Sequence, residues 1–143
     1  DPNATYSDPA KGERLTPLAL AVEKDAKIVQ LLLEKGANPN TFSDFFVGSH
    51  RELRNFSPLM QAAASDQLPA VEALLRAGAN VNLRDQQGDT ALTIAARDAS
   101  APLVKALLGA GANADLRNNN RATAADIAGN LRRDAIRKLI GGG

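Results

Sequence analysis

The 143-residue sequence contains no cysteine, no tryptophan and one histidine, His50. The absence of cysteine excludes disulfide bonds, cysteine-based zinc sites and thiol catalysis. It leaves the compartment open between cytoplasm and periplasm, because a chain without thiols suits reducing and oxidising surroundings alike. Since the sequence starts at Asp1 and not at Met, we expect that an N-terminal segment, such as a signal peptide, has been removed.

An excess of one charge and long apolar runs are also missing. The 17 basic and 16 acidic residues give a net charge of +1, which predicts no electrostatic surface for nucleic acid. No apolar run approaches the roughly 20 residues of a membrane span, so we predict no membrane insertion. With one histidine and no nucleophile elbow, phosphate loop or zinc motif, the sequence predicts no enzyme, no cofactor and no bound metal.

What the sequence does contain is an internal repeat. Three segments share a hydroxyl residue, a short Ala- or Leu-rich stretch, a later run of Leu and a Gly-Ala-Asn end, and a fourth, weaker copy follows them. Successive segments begin 41, 33 and 33 residues apart, at Thr16, Ser57, Thr90 and Thr123. A fixed period of this length predicts a repeat architecture.

Each copy predicts a pair of helices. The hydroxyl residue is an N-cap, which accepts a hydrogen bond from the first turn. Prolines open first or second helices, where the missing N–H costs nothing, at Pro17, Pro58, Pro69 and Pro102. Each second helix is expected to end at a glycine that takes a positive φ, namely Gly36, Gly78 and Gly111.

These segments resemble the ankyrin repeat family, whose marks are the 33-residue period and a Thr-Pro-Leu-His-x-Ala type of signature. The variants here are TPLALA, SPLMQA, TALTIA and TAADIA. The resemblance implies one domain, an all-α solenoid of four helix–turn–helix repeats (residues 14–40, 55–82, 88–115 and 121–140), with β-hairpin-like fingers between them. The signature histidine is replaced, so we expect looser helix starts at Ala19, Met60, Thr93 and Asp126.

The last repeat is predicted to cap the stack. Its final helix is polar on one side because of Arg132, Arg133, Arg137 and Lys138, as a solvated end of a solenoid requires. Its inward stripe is predicted to consist of Leu131, Ala135, Leu139 and Ile140.

The resemblance also implies a binding module that contacts another protein through finger tips and the exposed ends of the first helices. On this sequence the finger positions are Arg84, Gln86, Gln87 and Asp89 on one finger and Arg117, Asn119 and Asn120 on the next. The helix-end positions are Glu23, Lys24, Ala64, Ser65, Arg97 and Asp98. For any one of them, a merely solvated side chain is the alternative interpretation. The finger glycine Gly88 is replaced by Arg121 in the next finger, which predicts a different tip conformation.

The finger between the first two repeats is nine residues longer than the others. Its residues 41–56 hold all four phenylalanines and show neither a helix nor a strand pattern, so we expect an extended finger loop. In one interpretation the phenylalanines fill a small secondary core beside the repeats. In the other, this segment is exposed and contacts the partner through Phe42, Phe45, Phe46, His50 and Arg51. Phe56, just before the N-cap Ser57, is assigned to the structure as part of a hydrophobic staple.

The sequence therefore predicts a non-enzymatic, protein-binding module from a bacterium, monomeric when free. The specific role that we favour is an inhibitor or immunity protein of a toxin or enzyme. The alternatives are a regulatory ankyrin segment of a larger enzyme, a periplasmic accessory of oxidative defence, a host-directed effector and a structural oligomerisation element.

Overall fold

The computed structural model describes residues 1–47 and 51–141. In this part of the chain, eight helices form four consecutive pairs: α1 (Pro17–Val22) with α2 (Ala26–Glu34), α3 (Pro58–Ala64) with α4 (Leu68–Arg76), α5 (Ala91–Asp98) with α6 (Ala101–Gly109), and α7 (Ala124–Asn130) with α8 (Asp134–Ile140). First helices pack on first helices and second on second, so the pairs stack in two layers. The predicted helical solenoid is confirmed, and the helix pairs fall inside the four predicted repeats, whose exact bounds stay a prediction.

The four predicted N-caps are confirmed. The side-chain oxygens of Thr16, Ser57, Thr90 and Thr123 each accept a hydrogen bond from the backbone N–H three residues later, at 3.2 to 3.3 Å. These bonds satisfy one of the amide groups that a helix start leaves without an intrahelical partner. Each repeat therefore begins at the residue that its sequence indicates.

The replaced signature histidine does not loosen most of the helix starts. In three repeats the substitute accepts from the N–H of the N-cap residue: Met60 through sulfur at 3.4 Å, Thr93 at 2.8 Å and Asp126 at 2.9 Å. The same hydrogen bonding to Thr123 lowers the pKa of the Asp126 carboxyl. Only at Ala19, which carries no acceptor, is this return bond impossible.

The core lies between the two helix layers. Its largest fully buried side chains are leucines and Met60, and the short first helices contribute Ala62, Ala63, Ala95 and Ala96, each with no exposed surface. Small residues let neighbouring helices approach closely, as the Ala-rich stretches predict. The second helices end as predicted, because Gly36, Gly78 and Gly111 all have φ near +90°.

A small antiparallel sheet stands beside the first two helix pairs. Its strands are β1 (Tyr6–Asp8), β2 (Glu13–Leu15), β3 (Ser43–Val47) and β4 (Arg51–Phe56), arranged in the order β1-β2-β3-β4. β1 and β2 form a hairpin before the first helix, which we call the N-terminal hairpin. β2 pairs with β3 through Arg14 and Asp44, and β3 pairs with β4.

The sheet corrects the expectation for residues 41–56. In that segment, the first finger, β3 and β4 pair as antiparallel strands where an irregular loop was expected, with Ser43 opposite Phe56 and a bulge between Ser43 and Phe45. The bulge obscures the strand pattern in the sequence, because an extra residue on one strand breaks the alternation of side chains. Phe56 is buried in the core, which confirms its structural assignment.

The stripe predicted for the last helix is wrong in part. Leu131 and Ala135 are exposed, and the buried residue of α8 is Ile136, with Leu139 and Ile140 packed against the core. The reason is where the helix begins. Leu131 is the C-cap of α7 and α8 starts at Asp134, so the inward positions are 136, 139 and 140, spaced i, i+3, i+4.

Candidate protein-binding surface

The second finger is a tight turn held by one carboxylate. Oδ1 of Asp85 accepts from the backbone N–H groups of Gln87 at 2.8 Å and Asp89 at 2.9 Å, and the Gly88 N–H donates to the Asp85 carbonyl at 3.0 Å. A short acceptor at the first position of a turn is typical of such tips. The Gln86 and Gln87 side chains at its apex are exposed.

The third finger repeats this geometry with an amide in place of the carboxylate. Oδ1 of Asn118 accepts from the N–H groups of Asn120 at 3.0 Å and Ala122 at 3.1 Å, and the Arg121 N–H donates to the Asn118 carbonyl at 2.9 Å. Arg121 has φ +62°, close to the +74° of Gly88. The expectation of a different tip conformation is therefore wrong, because the same hydrogen bonds impose the left-handed conformation on arginine.

The two finger tips are bonded to each other. Asn119 donates its backbone N–H to the Gln87 carbonyl at 2.9 Å and its side-chain amide to the Gln86 carbonyl at 3.0 Å. The Arg84 guanidinium donates to the carbonyl of Gly88 in its own finger and to the carbonyl of Arg117 in the next. The side chains at the apex are thus displayed from a backbone that is fixed across two repeats.

A polar cluster lies below the tips. Asp89 is only 5% exposed; one of its carboxylate oxygens accepts from the Asn118 side chain at 2.9 Å, and the other pairs with Arg97 at 3.5 Å. Burial raises the pKa of the Asp85 carboxyl, and the nearby Asp89 carboxylate raises it further. These hydrogen bonds and the ion pair hold the base of the second finger, and in this way they support the tips above it.

The predicted contact residues thus divide into two groups. Supporting residues hold the fingers by internal hydrogen bonds, and they are Arg84, Asp89, Arg97, Arg117 and Asn119. Display residues have exposed side chains at the tips or at a helix end, and they are Gln86, Gln87, Asp98 and Asn120. The ends of the two preceding first helices are exposed as well, at Glu23, Lys24, Ala64 and Ser65.

The first finger contributes a separate part of this surface. Asp44 anchors it, since its carboxylate pairs with Arg14 at 3.3 Å and accepts from the Asn55 N–H at 2.8 Å. Phe42 is half-buried and lines a shallow cavity of about 290 Å³ at the junction with the N-terminal hairpin. The backbones of Phe45, Phe46 and Val47 lie opposite Leu53, Glu52 and Arg51. His50 lies outside the described residues, as do the side chains of Phe45, Phe46 and Arg51.

Sequence reasoning missed the N-terminal hairpin that supports the first finger. Its Arg14 forms the ion pair with Asp44, and its Tyr6 is exposed. A signal was present, because Pro-Asn-Ala-Thr-Tyr-Ser-Asp at 2–8 is similar to Pro-Asn-Thr-Phe-Ser-Asp at 39–44. Those two stretches lead into β1 and β3, respectively.

The groups exposed on this surface are mainly amides, carbonyls and a few charged side chains. The part of the chain that the structure describes holds no group of three or more His, Cys, Asp or Glu side chains placed to bind a metal. Across residues 1–47 and 51–141, no helix is both long and apolar enough to cross a membrane. Amides, carbonyls and a few charges on a fixed backbone suit the recognition of another surface.

Comparison with known proteins supports this architecture. The family model for ankyrin repeats in three copies matches residues 59–143, and the model for the single ankyrin repeat matches residues 13–44. The chain belongs to the ankyrin repeat family. Ankyrin repeats are protein–protein interaction modules and are typically non-enzymatic. The stretch between the two matches, 45–58, contains most of the enlarged first finger of this ankyrin repeat protein.

Two bacterial relatives show the same similarity over a shorter length. They are ankyrin repeat proteins of Rickettsia felis, each 53% identical over 38 residues, which is 27% of this chain and 60% and 58% of the two relatives. The chain thus spans less than two thirds of the length of the relatives that it matches. Both relatives are bacterial, which agrees with the prediction of a bacterial ankyrin repeat protein.

Proposed function

We propose that this ankyrin repeat protein binds a partner protein through one surface, formed by the second and third finger tips, the adjoining helix ends and the first finger. It acts without catalysis of its own and is monomeric when free. The observation that carries the proposal is the bonding of Asn119 to the Gln86 and Gln87 carbonyls. Such a fixed display loses little conformational freedom when a partner docks.

The composition of the surface supports a protein partner. Its display residues are neutral amides and a carboxylate, together with the half-buried Phe42 of the first finger. Side chains of this kind form the polar rim and the aromatic centre of many interfaces. Phe42, Phe45 and Phe46 of the first finger are proposed as the apolar contacts, and His50 and Arg51 as further contact residues.

The form of the function that we favour is occlusion. A rigid surface that covers the working face of a toxin or enzyme inhibits it without any reaction, and this fits an inhibitor or immunity protein. The proposal then expects that the bound partner loses its activity in proportion to occupancy.

The test uses the tagged chain to recover partners from the cells that encode it. The double variant Gln87→Arg/Asn120→Arg alters two exposed side chains that the fingers display. We expect partner affinity to fall at least about tenfold, as loss of a good interface contact does. The matched control Glu72→Arg/Lys105→Glu changes exposed positions on α4 and α6 and should bind normally. Equal binding by both variants would refute this choice of surface.

A further inference from the structure

Three large apolar side chains are exposed at the α1/α2 end of the stack. Leu20 on α1 is 52% exposed, and Ile28 and Leu31 on α2 are 46% and 53% exposed. Together they form the end face, as we call it. This face lies at the end of the solenoid that is distant from α7 and α8. Exposing a group of large apolar side chains to water is unfavourable, and such a group commonly marks an interaction surface.

The same positions are buried or partly buried in the repeats that follow. Aligned on the N-cap residues, Leu20 corresponds to Gln61 and Ile94, which are 6% and 3% exposed. Aligned on the helix-ending glycines, Ile28 corresponds to Ala70 and Leu103, at 1% and 0%. Leu31 corresponds to Ala73, at 7%, and to Ala106, which is partly buried against the core. In those repeats these positions belong to the stacked layers, where α3 packs on α1 and α4 on α2. The end face is therefore a stacking surface by position and by chemistry.

Residues 1–3 provide a second, independent observation. In each complete repeat, an Asx turn follows the second helix, with the Asn40 N–H bonded to Asn38 Oδ1 at 2.9 Å and the Asn82 N–H to Asn80 Oδ1 at 3.0 Å. Asp1 and Asn3 form the same turn at 2.9 Å.

This turn also makes the hydrogen bonds that link the corresponding turns of successive repeats. Oδ1 of Asn3 accepts from the Asn38 N–H at 2.7 Å, as Asn40 does from the Asn80 N–H at 2.7 Å. The Asn3 amide donates to the Gly36 carbonyl at 3.0 Å, as Asn82 donates to the Gly111 carbonyl at 3.4 Å. Asp1–Asn3 and the N-terminal hairpin thus have the geometry of the turn and finger that complete a repeat.

We propose that the end face packs against one further ankyrin-type helix pair of the same polypeptide, whose second helix leads into the Asp1–Asn3 turn. The turn fixes where that second helix ends, and the end face supplies the apolar surface on which both helices stack. The interface continues the one already present between the other repeats. A second copy of the chain would cover the end face but would not account for the Asp1–Asn3 turn. This proposal is independent of the binding surface on the fingers.

The test compares two polypeptides, the 143-residue chain and the natural gene product extended by its own preceding residues, each with Ile28→Gln. In the shorter chain Ile28 is already half exposed, so we expect the melting temperature to change by less than about 1 °C. In the extended chain the side chain is covered, and we expect a fall of at least about 4 °C. Lys27→Gln is the matched control, because its position is exposed in all three repeats that align there, and it should be neutral in both chains.

Two results would overturn the proposal. One is an extended chain that melts no higher than the shorter one and responds equally weakly to Ile28→Gln. The other is a concentration-dependent dimer of the 143-residue chain in sedimentation that Ile28→Gln abolishes, since a second copy would then be the occupant.

Discussion

Asp85 and Asn118 occupy the same place in successive fingers and make the same pair of hydrogen bonds to the turn. The carboxylate is the more costly of the two side chains. Burial and the neighbouring Asp89 disfavour its charged form and raise its pKa. An amide holds the turn without this cost. The second finger is therefore less stable with Asp85 than it would be with an asparagine at that position.

Asp85→Asn should therefore stabilise the protein at neutral pH. A carboxyl whose pKa is raised by folding destabilises the native state fully above that raised pKa, and not at all below the unfolded value. The gain over the parent protein should be largest at pH 7, shrink as the pH falls through the raised pKa and vanish below 3.8, the ordinary value. Thermal melting across this pH range checks it, with Glu72→Gln on the exposed face of α4 as a control; a gain that is independent of pH would contradict the account.

Gly88 is restricted by the next finger as well as by its φ. A Cβ at Gly88 would lie 2.7 Å from Oδ1 of Asn119 and 3.0 Å from its backbone N, with φ at +74°. We predict that Gly88→Ala lowers the free energy of unfolding by about 1–3 kcal/mol and loosens the contact between the fingers. The reciprocal change Arg121→Gly should alter it by less than about 1 kcal/mol. Urea denaturation of both variants measures this, and equal effects would count against finger-to-finger packing.

At the scale of the elements, the helices could be predicted from the sequence because their signals are local. Thr90 caps its helix through a residue three positions away, and Gly78 ends one at a positive φ. The finger contacts could not be predicted in this way. Asn119 reaches Gln86 across 33 residues, and no local pattern in the sequence specifies that bond.

The strands were missed for a similar reason. β1 and β2 have three residues each, too few for alternation to be visible, and β3 is bulged. They form because the N-terminal hairpin and the first finger lie side by side, where Arg14 meets Asp44. The repeat arithmetic locates the enlarged finger, but its secondary structure depends on this tertiary pairing.

Arg133 ties the last helix pair to the one before it. Its guanidinium donates to the carbonyls of Ala95 at 3.1 Å and Ala96 at 2.7 Å and to that of Ala99, at the end of α5. We predict that Arg133→Ala lowers the free energy of unfolding by about 1.5–3 kcal/mol, because charged donors to buried carbonyls are strong. Lys138→Ala, at an exposed position on α8, is the control for charge alone. Equal stability of the two variants in chemical denaturation would exclude a cap role for Arg133.

The phenylalanines of the first finger can be separated by function. Phe56→Ala removes a buried ring and should cost about 3–5 kcal/mol. Phe45→Ser/Phe46→Ser should leave the melting temperature within about 2 °C and weaken partner binding at least tenfold, if the proposed contact role is right. Melting and co-purification are measured on the same preparations. A fall of several degrees with binding intact would assign these rings to a secondary core instead.

In the whole molecule, the stability of the helix stack and the rigidity of the finger surface both depend on contacts between neighbouring repeats. Each helix pair buries its apolar face against its neighbours, so stability is distributed along the stack. The fingers follow the same rule, since the tip of one is held by the next through Arg84 and Asn119. A surface that extends over several repeats is rigid only because the repeats beneath it are in register.

Hydrogen–deuterium exchange of the protein with and without its partner tests the proposed binding surface most directly. We predict slower exchange on binding in residues 84–89 and 117–122 and in the first finger, with α4 and α6 unchanged. The Gln87→Arg/Asn120→Arg variant at the same total concentrations should lose this protection at all of these segments together. Protection confined to α2, α4 and α6, with the fingers exchanging as in the free protein, would contradict the proposal.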